Sequence, residues 1–354
     1  MKRSVRIASL LLALILLLSG TALADGMYPE EDLILTEPSR SFTDTSTGAW
    51  YWDDLDTLVR AGGINGYEDG SFRPDAQLQM SEFVKILVSV MYPGWAELAY
   101  HDWEIEGQVT WYSPFVGVAQ SAGLLEGVTV TKASMESPMT RNDMALVITN
   151  AAAAKGEELV DDSIVQYLIG DYPSIPEKYR AAVRKAYWAG ILTGKDNAGN
   201  FYGSDGLTRA EACTVVVRLY REEDRVNEYY EVWTVQEDGG TYGVGVTMPM
   251  SWYDRFVSDS VVSGDKQIVS YYCKASYNDY GGGAGHLFSI VLSDSVCDYP
   301  SQTYVGRIGY KYAYLTYPTD VQYDPDNAES AREYTSMYNE LHTTDAVNVV
   351  FTFR

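Results

Sequence analysis

The sequence predicts an α+β fold, with a mainly α-helical N-terminal half followed by an α+β domain built on an antiparallel sheet. Three observations lead to this prediction. Up to residue 222, apolar residues recur at helical spacing, and the order of motifs repeats three times. Beyond residue 227 the pattern changes to an alternation of period two, which is typical of strands. A charged run, Arg221–Arg225, separates the two patterns.

The first 24 residues predict a signal peptide. Lys2, Arg3 and Arg6 form a basic start, and an almost wholly aliphatic run leads to Ala22-Leu23-Ala24, a small-x-small cleavage site. An uncleaved N-terminal anchor is the alternative, although the apolar run is short for a membrane span. We therefore expect a secreted protein without a membrane segment after cleavage, in which residues 25–40 are a linker.

The net charge argues against nucleic acid as a partner. The chain of 354 residues carries −23, and loss of the signal peptide removes three basic residues and no acidic ones, which gives −26. Such a chain repels phosphates. Three histidines and three cysteines without a CxxC motif argue against a zinc site, and we expect no cofactor. Cys273 and Cys297 could pair in an oxidising exterior, whereas Cys213 is expected to be a buried thiol.

Three units of roughly sixty residues fill the N-terminal half, at 41–97, 98–157 and 158–222. Each has an opening that contains an aspartate, a helix that ends at a glycine, a loop and a second helix; the first two openings read aromatic-x-Asp. The openings are Phe42-Thr43-Asp44, Tyr100-His101-Asp102 and a weaker one at Asp171-Tyr172. Two independent features recur at nearly the same intervals along the chain. They are the glycines 63, 123 and 190, and the helix starts 80, 141 and 209. Each unit is too small to bury a core alone, so we expect the three to stack.

The units resemble surface-layer-homology (SLH) repeats of Gram-positive and related bacteria. The match rests on Phe42-x-Asp44, Gly63–Tyr67, Asp69-Gly70-x-Phe72-x-Pro74 and Leu207–Glu211. The resemblance implies that three repeats pack around a pseudo-threefold axis. It also implies that grooves between them bind secondary cell-wall polysaccharide linked to peptidoglycan, often at a pyruvylated terminal sugar, without covalent chemistry.

The resemblance and the chemistry of a ketal pyruvate suggest the binding residues. An arginine in the first turn of a helix offers forked donors to a carboxylate, and aromatic rings can stack on sugars. The predicted polysaccharide-binding residues are Arg141, Arg209, Arg73, Trp50, Trp52, Trp111, Tyr67, Gly66, Thr208 and Glu211. Alternatives stay open, because the arginines could form salt bridges, the tryptophans could be core residues and Glu211 could merely suit the helix dipole.

Two departures from the repeat pattern predict at most two working grooves. Met80 stands where the other units have arginine, and it cannot donate to a carboxylate. The first groove is therefore in doubt unless Arg73 supplies the charge. The second unit lacks the Asp-Gly-x-Phe loop, since residues 128–137 replace it.

Residues 227–354 are expected to form an antiparallel sheet with one main helix, Ala328–Leu341. Segments such as Met248–Trp252 and Gly285–Ile290 resemble a domain common in exported clostridial proteins, to which no activity attaches. His286, Ser289 and Asp320 could suggest a nucleophilic triad. However, no serine lies in a GxSxG frame.

We therefore expect a non-catalytic protein at the bacterial cell surface, held on the wall through its SLH repeats and displaying a C-terminal domain for an unknown ligand. One alternative is a wall-anchored hydrolase with its active site in the C-terminal domain. The other is a structural subunit of the surface layer.

Overall fold

Helices and sheets occupy different parts of the chain, and the predicted α+β class is confirmed. The computed structural model describes residues 27–98, 103–196, 198–237, 240–279, 282–320, 322–343 and 347–353. The signal peptide and the opening Tyr100-His101-Asp102 lie outside these residues. No helix among them combines the length and the apolar character needed to cross a membrane.

Contacts divide the chain into two units. The first contains residues up to Asp161 together with Glu177–Leu192 and Gly203–Arg225. The second contains Asp162–Pro176, Thr193–Tyr202 and the residues from Val226 onward. Both units therefore hold parts of the third predicted repeat, while the domain boundaries drawn from the sequence stay predictions.

The described part of the first unit contains three pairs of longer helices and two short ones. In chain order the helices are α1 (Trp52–Arg60), α2 (Met80–Met91), α3 (Trp95–Leu98), α4 (Ser113–Ser121), α5 (Lys132–Met135), α6 (Arg141–Ala154), α7 (Glu177–Trp188) and α8 (Arg209–Tyr220). The pairs are α1 with α2, α4 with α6, and α7 with α8. They correspond to the three helix-loop-helix units that the sequence predicts.

The first helix of each pair ends at an Ala-Gly step. Gly62, Gly123 and Gly190 have φ angles of 71°, 75° and 70°, and such left-handed residues end helices because glycine carries no Cβ. In the first repeat, the glycine equivalent to Gly123 and Gly190 is therefore Gly62, and not Gly63 as the spacing in the sequence had indicated. The position of Gly63 is instead set by packing, since a Cβ there would lie 2.8 Å from Val90 Cγ1.

The three pairs are linked into a ring. The second helix of each pair packs on the first helix of another: α2 on α4, α6 on α7, and α8 back on α1. Polar contacts accompany two of these steps. The Tyr179 hydroxyl donates to Asp143 at 2.7 Å, and the Thr214 hydroxyl donates to Asp54 at 2.5 Å. The apolar faces of the helices are thus buried between neighbouring helix pairs, as expected of repeats too small to fold alone.

Backbone hydrogen bonds close this ring at the helix starts. The Leu78 N–H donates to the Leu207 carbonyl, Leu207 to Met139, and Met139 back to Leu78, at 2.9, 2.8 and 2.8 Å. All three side chains are fully buried. The cyclic pattern means that three segments far apart in sequence satisfy one another's backbone groups.

The second unit contains two antiparallel sheets, whereas one was expected. The three-stranded sheet has the order β1-β2-β8 and the five-stranded sheet has the order β3-β4-β5-β7-β6. The strands are β1 (Glu228–Glu237), β2 (Gly240–Pro249), β3 (Phe256–Ser263), β4 (Lys266–Cys273), β5 (His286–Ser293), β6 (Gln302–Ile308), β7 (Lys311–Thr316) and β8 (Asn348–Phe353). Sequence reasoning missed β3, an edge strand whose side chains are mostly exposed and do not alternate in burial.

Two helices complete the described part of this unit: α9 (Lys274–Asp279) and α10 (Ala328–Thr343). Buried side chains of α10, including Tyr334 and Met337, join the main apolar cluster, which also contains Cys273. Cys297 belongs to a separate cluster with Val291 and Tyr314. Both cysteines are free thiols, so the disulfide between them that the sequence left open is not formed.

Candidate functional site

A groove of about 320 Å³ lies between the first inter-helix loop, α2 and the start of α8. Gly63–Tyr67 supply the loop side, and Glu82, Lys85 and Ile86 supply one face of α2. Arg209 and Trp111 complete the lining. The groove thus combines residues from all three helix pairs, and it brings together Arg209, Trp111, Tyr67 and Gly66 from the predicted set.

Arg209 is held rigidly at one wall. It is the first residue of α8, and its side chain is only 6 % exposed. Its Nε donates to the Phe72 carbonyl at 2.9 Å, and its Nη2 donates to the Asn65 carbonyl at 2.7 Å. These bonds occupy two of the five guanidinium N–H donors. A fixed arginine of this kind is well suited to orient a carboxylate.

The arginine that contacts the first loop therefore comes from the third helix pair. The sequence left this groove in doubt because Met80 replaces an arginine, and it offered Arg73 as a substitute. Arg73 instead pairs with Asp69 at 2.9 Å on the surface. Met80 is buried, and its N–H bonds the Ser137 carbonyl beside a different loop. The absence of an arginine at residue 80 therefore leaves the groove around Arg209 intact.

Lys85 is a groove residue that sequence reasoning missed. Burial lowers the pKa of its ammonium, the charge of Arg209 lowers it further, and Glu82 acts in the opposite direction. The groove therefore places two cations beside one carboxylate, Glu82, which is a local excess of positive charge in a chain whose net charge is −23. One signal could have found it, because Lys85 is the only basic residue in the apolar helix Met80–Met91.

Two aromatic side chains border these cations. Tyr67 is 37 % exposed, and the guanidinium carbons of Arg73 and Arg209 lie 4.0 and 4.9 Å from its ring centroid. Trp111 is 54 % exposed and meets the buried ring of Tyr112 edge-on, with 5.3 Å between centroids. Both rings leave surface for a ligand to contact.

Gly66 lines the groove but is required by packing, and two of the predicted tryptophans lie outside the groove. A Cβ on Gly66 would lie 2.3 Å from the Phe42 ring, so packing against Phe42 requires this glycine. Trp50 is 68 % exposed and rests edge-on against Tyr51. Trp52 is half-buried in the first turn of α1. Neither tryptophan lines the groove around Arg209.

Thr208, Glu211 and Arg141 form a polar cluster at two helix starts. The Thr208 hydroxyl accepts from the Glu211 N–H at 3.2 Å, and the Thr208 N–H donates to the Glu211 carboxylate at 2.9 Å. These reciprocal bonds are a capping box, which stabilises the start of α8. The same carboxylate lies 3.7 Å from Nη1 of the buried Arg141. Arg141 thus forms the salt bridge that the sequence had left open as an alternative.

The aspartates of two of the three openings make the same pair of backbone hydrogen bonds. Asp44 accepts from the backbone N–H groups of Phe72 and Arg73, both at 2.7 Å. Burial alone would raise the pKa of Asp44, but these two bonds bring it below the usual value. Asp171 makes the same pair of bonds to Phe201 and Tyr202, at 2.6 and 2.8 Å. The weak opening at Asp171 is therefore a structural counterpart of Asp44.

Comparison with known proteins identifies the repeats. The family model of the S-layer homology domain matches residues 41–78 and 169–213. These segments include Asp44 and Asp171, the first loop and the start of α8. The first and third repeats therefore contain segments of the S-layer homology domain, and the secreted cell-surface location expected from the sequence is confirmed.

The similar curated proteins are named as surface-layer proteins. The surface-layer 125 kDa protein of Lysinibacillus sphaericus is 28 % identical over 113 residues, which are 31 % of this chain and 10 % of that protein. An S-layer protein of Bacillus thuringiensis subsp. finitimus is 26 % identical over 88 residues, 25 % of this chain and 11 % of the relative. S-layer protein sap of Bacillus anthracis is 25 % identical over the same length. The matched segment thus spans about a tenth of these longer proteins.

Proposed function

We propose that the groove around Arg209 binds an acidic sugar of secondary cell-wall polysaccharide, and that this binding holds the chain on the bacterial wall without a covalent bond. One observation carries the proposal: two cations, Arg209 and Lys85, share a groove with the exposed rings of Tyr67 and Trp111. The SLH family match supports a polymer of the cell wall as the partner.

The chemistry of a pyruvylated sugar suits this groove. A ketal pyruvate presents a carboxylate on a sugar ring, so the guanidinium can bind it through paired N–H donors while the ammonium adds a point charge. The flat sides of Tyr67 and Trp111 can cover the apolar face of the same ring. An acidic ligand needs both cations close to its binding position, because the electrostatic field of a chain with net charge −23 repels anions.

Lys85 offers the sharpest test, since its charge can be removed without loss of the aliphatic stem. We expect Lys85→Met to weaken binding to purified wall polysaccharide about tenfold or more, a loss typical of one desolvated charge contact. Lys85→Arg keeps the charge and should retain most of the affinity. Co-sedimentation with polysaccharide-bearing cell walls measures both. Equal binding by the Met variant and the native protein would contradict the proposal.

Trp111→Ala tests the aromatic wall on a side chain that is half exposed and therefore tolerant of truncation. Its control is Trp188→Ala, which alters a tryptophan of α7 that does not line the groove. We expect binding to fall only in the first variant. A separate test removes the charge of the ligand. Polysaccharide freed of its pyruvyl groups by mild acid should bind the native protein at least as weakly as the native polysaccharide binds Lys85→Met, because both cations then lose their partner.

A second candidate function is that of a structural surface-layer subunit, which the names of the relatives favour. A lattice subunit forms regular arrays, so electron microscopy of the purified chain on wall fragments separates the two functions. Periodic arrays would favour the subunit. Isolated molecules would favour an anchored protein whose C-terminal unit is displayed for binding.

A further inference from the structure

A second cleft, of about 490 Å³, lies on the five-stranded sheet of the C-terminal unit. Its floor comes from three adjacent strands: Ser270 and Tyr272 of β4, His286 and Ser289 of β5, and Thr316 of β7. Loop residues form its walls, among them Tyr299, Tyr317, Thr319 and Gln322. The wall-binding groove lies in the other unit, so the two sites do not overlap.

The strand register aligns the hydroxyls of the floor. Ser270 is paired with Ser289 across β4 and β5, and Ser289 is paired with Thr316 across β5 and β7. Directly paired residues of an antiparallel sheet share a face. Three hydroxyl side chains therefore form a row across the sheet, on the face opposite the stacked, buried rings of Tyr271 and Phe288.

Short hydrogen bonds fix part of this row. The Ser270 and Ser289 hydroxyls lie 2.7 Å apart, and the Ser289 hydroxyl lies 2.6 Å from His286 Nε2. Burial lowers the pKa of the His286 imidazole below its usual 6.5, and a backbone hydrogen bond at Phe288 only partly offsets this. The histidine is therefore neutral near pH 7 and, like the hydroxyls, can donate from one atom and accept at another.

Among the described residues, the lining of this cleft carries no charged side chain. Its thirteen residues include eight hydroxyls from serine, threonine and tyrosine, one histidine and one glutamine, but no Asp, Glu, Lys or Arg. This is unexpected in a chain of which 21 % is charged, and it is the opposite of the groove around Arg209. A site of hydroxyl groups and tyrosine rings suits a ligand that has many hydroxyls and no charge.

We propose that this cleft binds a neutral, hydroxyl-rich saccharide. The tyrosine rings contact the flat faces of the sugar, and the serine, threonine and glutamine side chains exchange hydrogen bonds with its hydroxyls. The site binds without cleaving, because glycoside hydrolysis generally requires a pair of carboxylates and the lining contains none. This proposal extends the displayed binding unit of the proposed function, but it does not depend on wall anchoring.

The test uses the full chain on an array of neutral and acidic glycans, followed by titration calorimetry with the neutral trisaccharides cellotriose, maltotriose and N,N′,N″-triacetylchitotriose as probes. We expect retention of neutral glycans, and a loss of affinity of about tenfold in Tyr299→Ala, which removes one aromatic wall. The control is Tyr310→Ala, a tyrosine 70 % exposed at the tip of a hairpin outside the cleft. It should bind as the native chain does.

Three results would overturn the proposal: no neutral glycan retained, a preference for acidic glycans that Tyr299→Ala removes, or equal affinity in Tyr299→Ala and Tyr310→Ala. Covalent labelling of Ser289 by a fluorophosphonate probe would also overturn it, since that result assigns a nucleophile rather than a binding site. Tyr299→Ala alters the cleft but not the groove around Arg209. Its co-sedimentation with cell walls therefore tests the Arg209 groove alone, and either proposal can fail while the other holds.

Discussion

Two arginines at equivalent helix starts have different environments in this protein. Arg209 donates to backbone carbonyls of the first loop and lines an open groove. Arg141 lies beside the carboxylate of Glu211. The neighbouring carboxylate partly neutralises the positive charge that Arg141 could present to an anion. Equivalent places in a repeat therefore do not guarantee equivalent binding strength, and we expect Arg209 to contribute more.

His286 makes the stability of the C-terminal unit depend on pH. Its folded-state pKa lies below the usual 6.5 that the unfolded chain retains, so below pH 6.5 the unfolded state takes up the proton more readily. The contribution to stability is full above pH 6.5 and is lost as the pH falls below it. Protonation also makes both ring nitrogens donors, so that Ser289 can then only accept from Nε2.

Urea unfolding of the native chain and of His286→Gln between pH 7.5 and 5.5 checks this prediction. Glutamine does not titrate, so the free energy of unfolding of the variant should fall less over this range than that of the native chain. The difference between the two curves isolates the histidine from all other titrating groups. Parallel curves would show that His286 is not the responsible group.

At the scale of elements, Thr208 caps the N-terminus of α8. This structural role is independent of the predicted role of Thr208 in ligand binding. Its hydroxyl and N–H both bond Glu211 at the start of α8. We expect Thr208→Ala to lower the free energy of unfolding by about 1 kcal/mol, the usual cost of a lost N-cap. Thr208→Ser keeps the hydroxyl and should lie close to the native chain.

The cap prediction also separates stability from ligand contact. Thermal unfolding gives the stability of each variant, and co-sedimentation with cell walls at a temperature where all are folded gives the affinity. If Thr208→Ala loses affinity in the folded state while Thr208→Ser does not, the hydroxyl contacts the ligand. If both bind as the native chain does, the residue only caps α8.

Element types were predictable from the sequence where periodicity is strong. Apolar spacing and terminal glycines predicted the helix pairs, and alternation predicted most strands of the C-terminal unit. The strand β3 was missed because an exposed edge strand buries neither face and therefore leaves no alternation. The glycine marker was off by one, since only the backbone angle distinguishes Gly62 from Gly63.

The site was less predictable, because its parts meet only in the folded ring. The sequence pointed to Arg209, Tyr67 and Trp111 individually. It did not show that they line the same groove, because Arg209 bonds Asn65, which lies 144 positions away in the chain. A lone lysine in an apolar helix was a visible signal at Lys85, but it did not show that Arg209 would be the neighbouring charge. No local pattern encodes such a long-range pairing.

At the scale of the whole first unit, the ring of hydrogen bonds among Leu78, Met139 and Leu207 couples the helix pairs. Leu207→Ala removes a fully buried side chain, so we expect a loss of about 2–5 kcal/mol in the free energy of unfolding. Because the three segments bond one another cyclically, the loss should be shared. Hydrogen exchange should accelerate in α1, α4 and α7 alike.

Peptide-resolved mass spectrometry of hydrogen exchange measures this sharing. Leu98→Ala, at a side chain 76 % exposed on α3, is the control and should leave the exchange rates unchanged. Acceleration confined to α7 and α8 in the Leu207→Ala variant would show that the pairs open independently. It would then contradict the coupling that the ring implies.

The ring also sets an order of events during export. A chain that leaves the cell from its N-terminus releases the loop at Asn65 and helix α2 long before residue 209 follows. Until α8 arrives, the loop lacks its arginine and the groove does not exist. If the groove holds the chain on the wall as proposed, attachment waits until the last helix pair has been translocated, and a half-exported chain is not yet held at the surface.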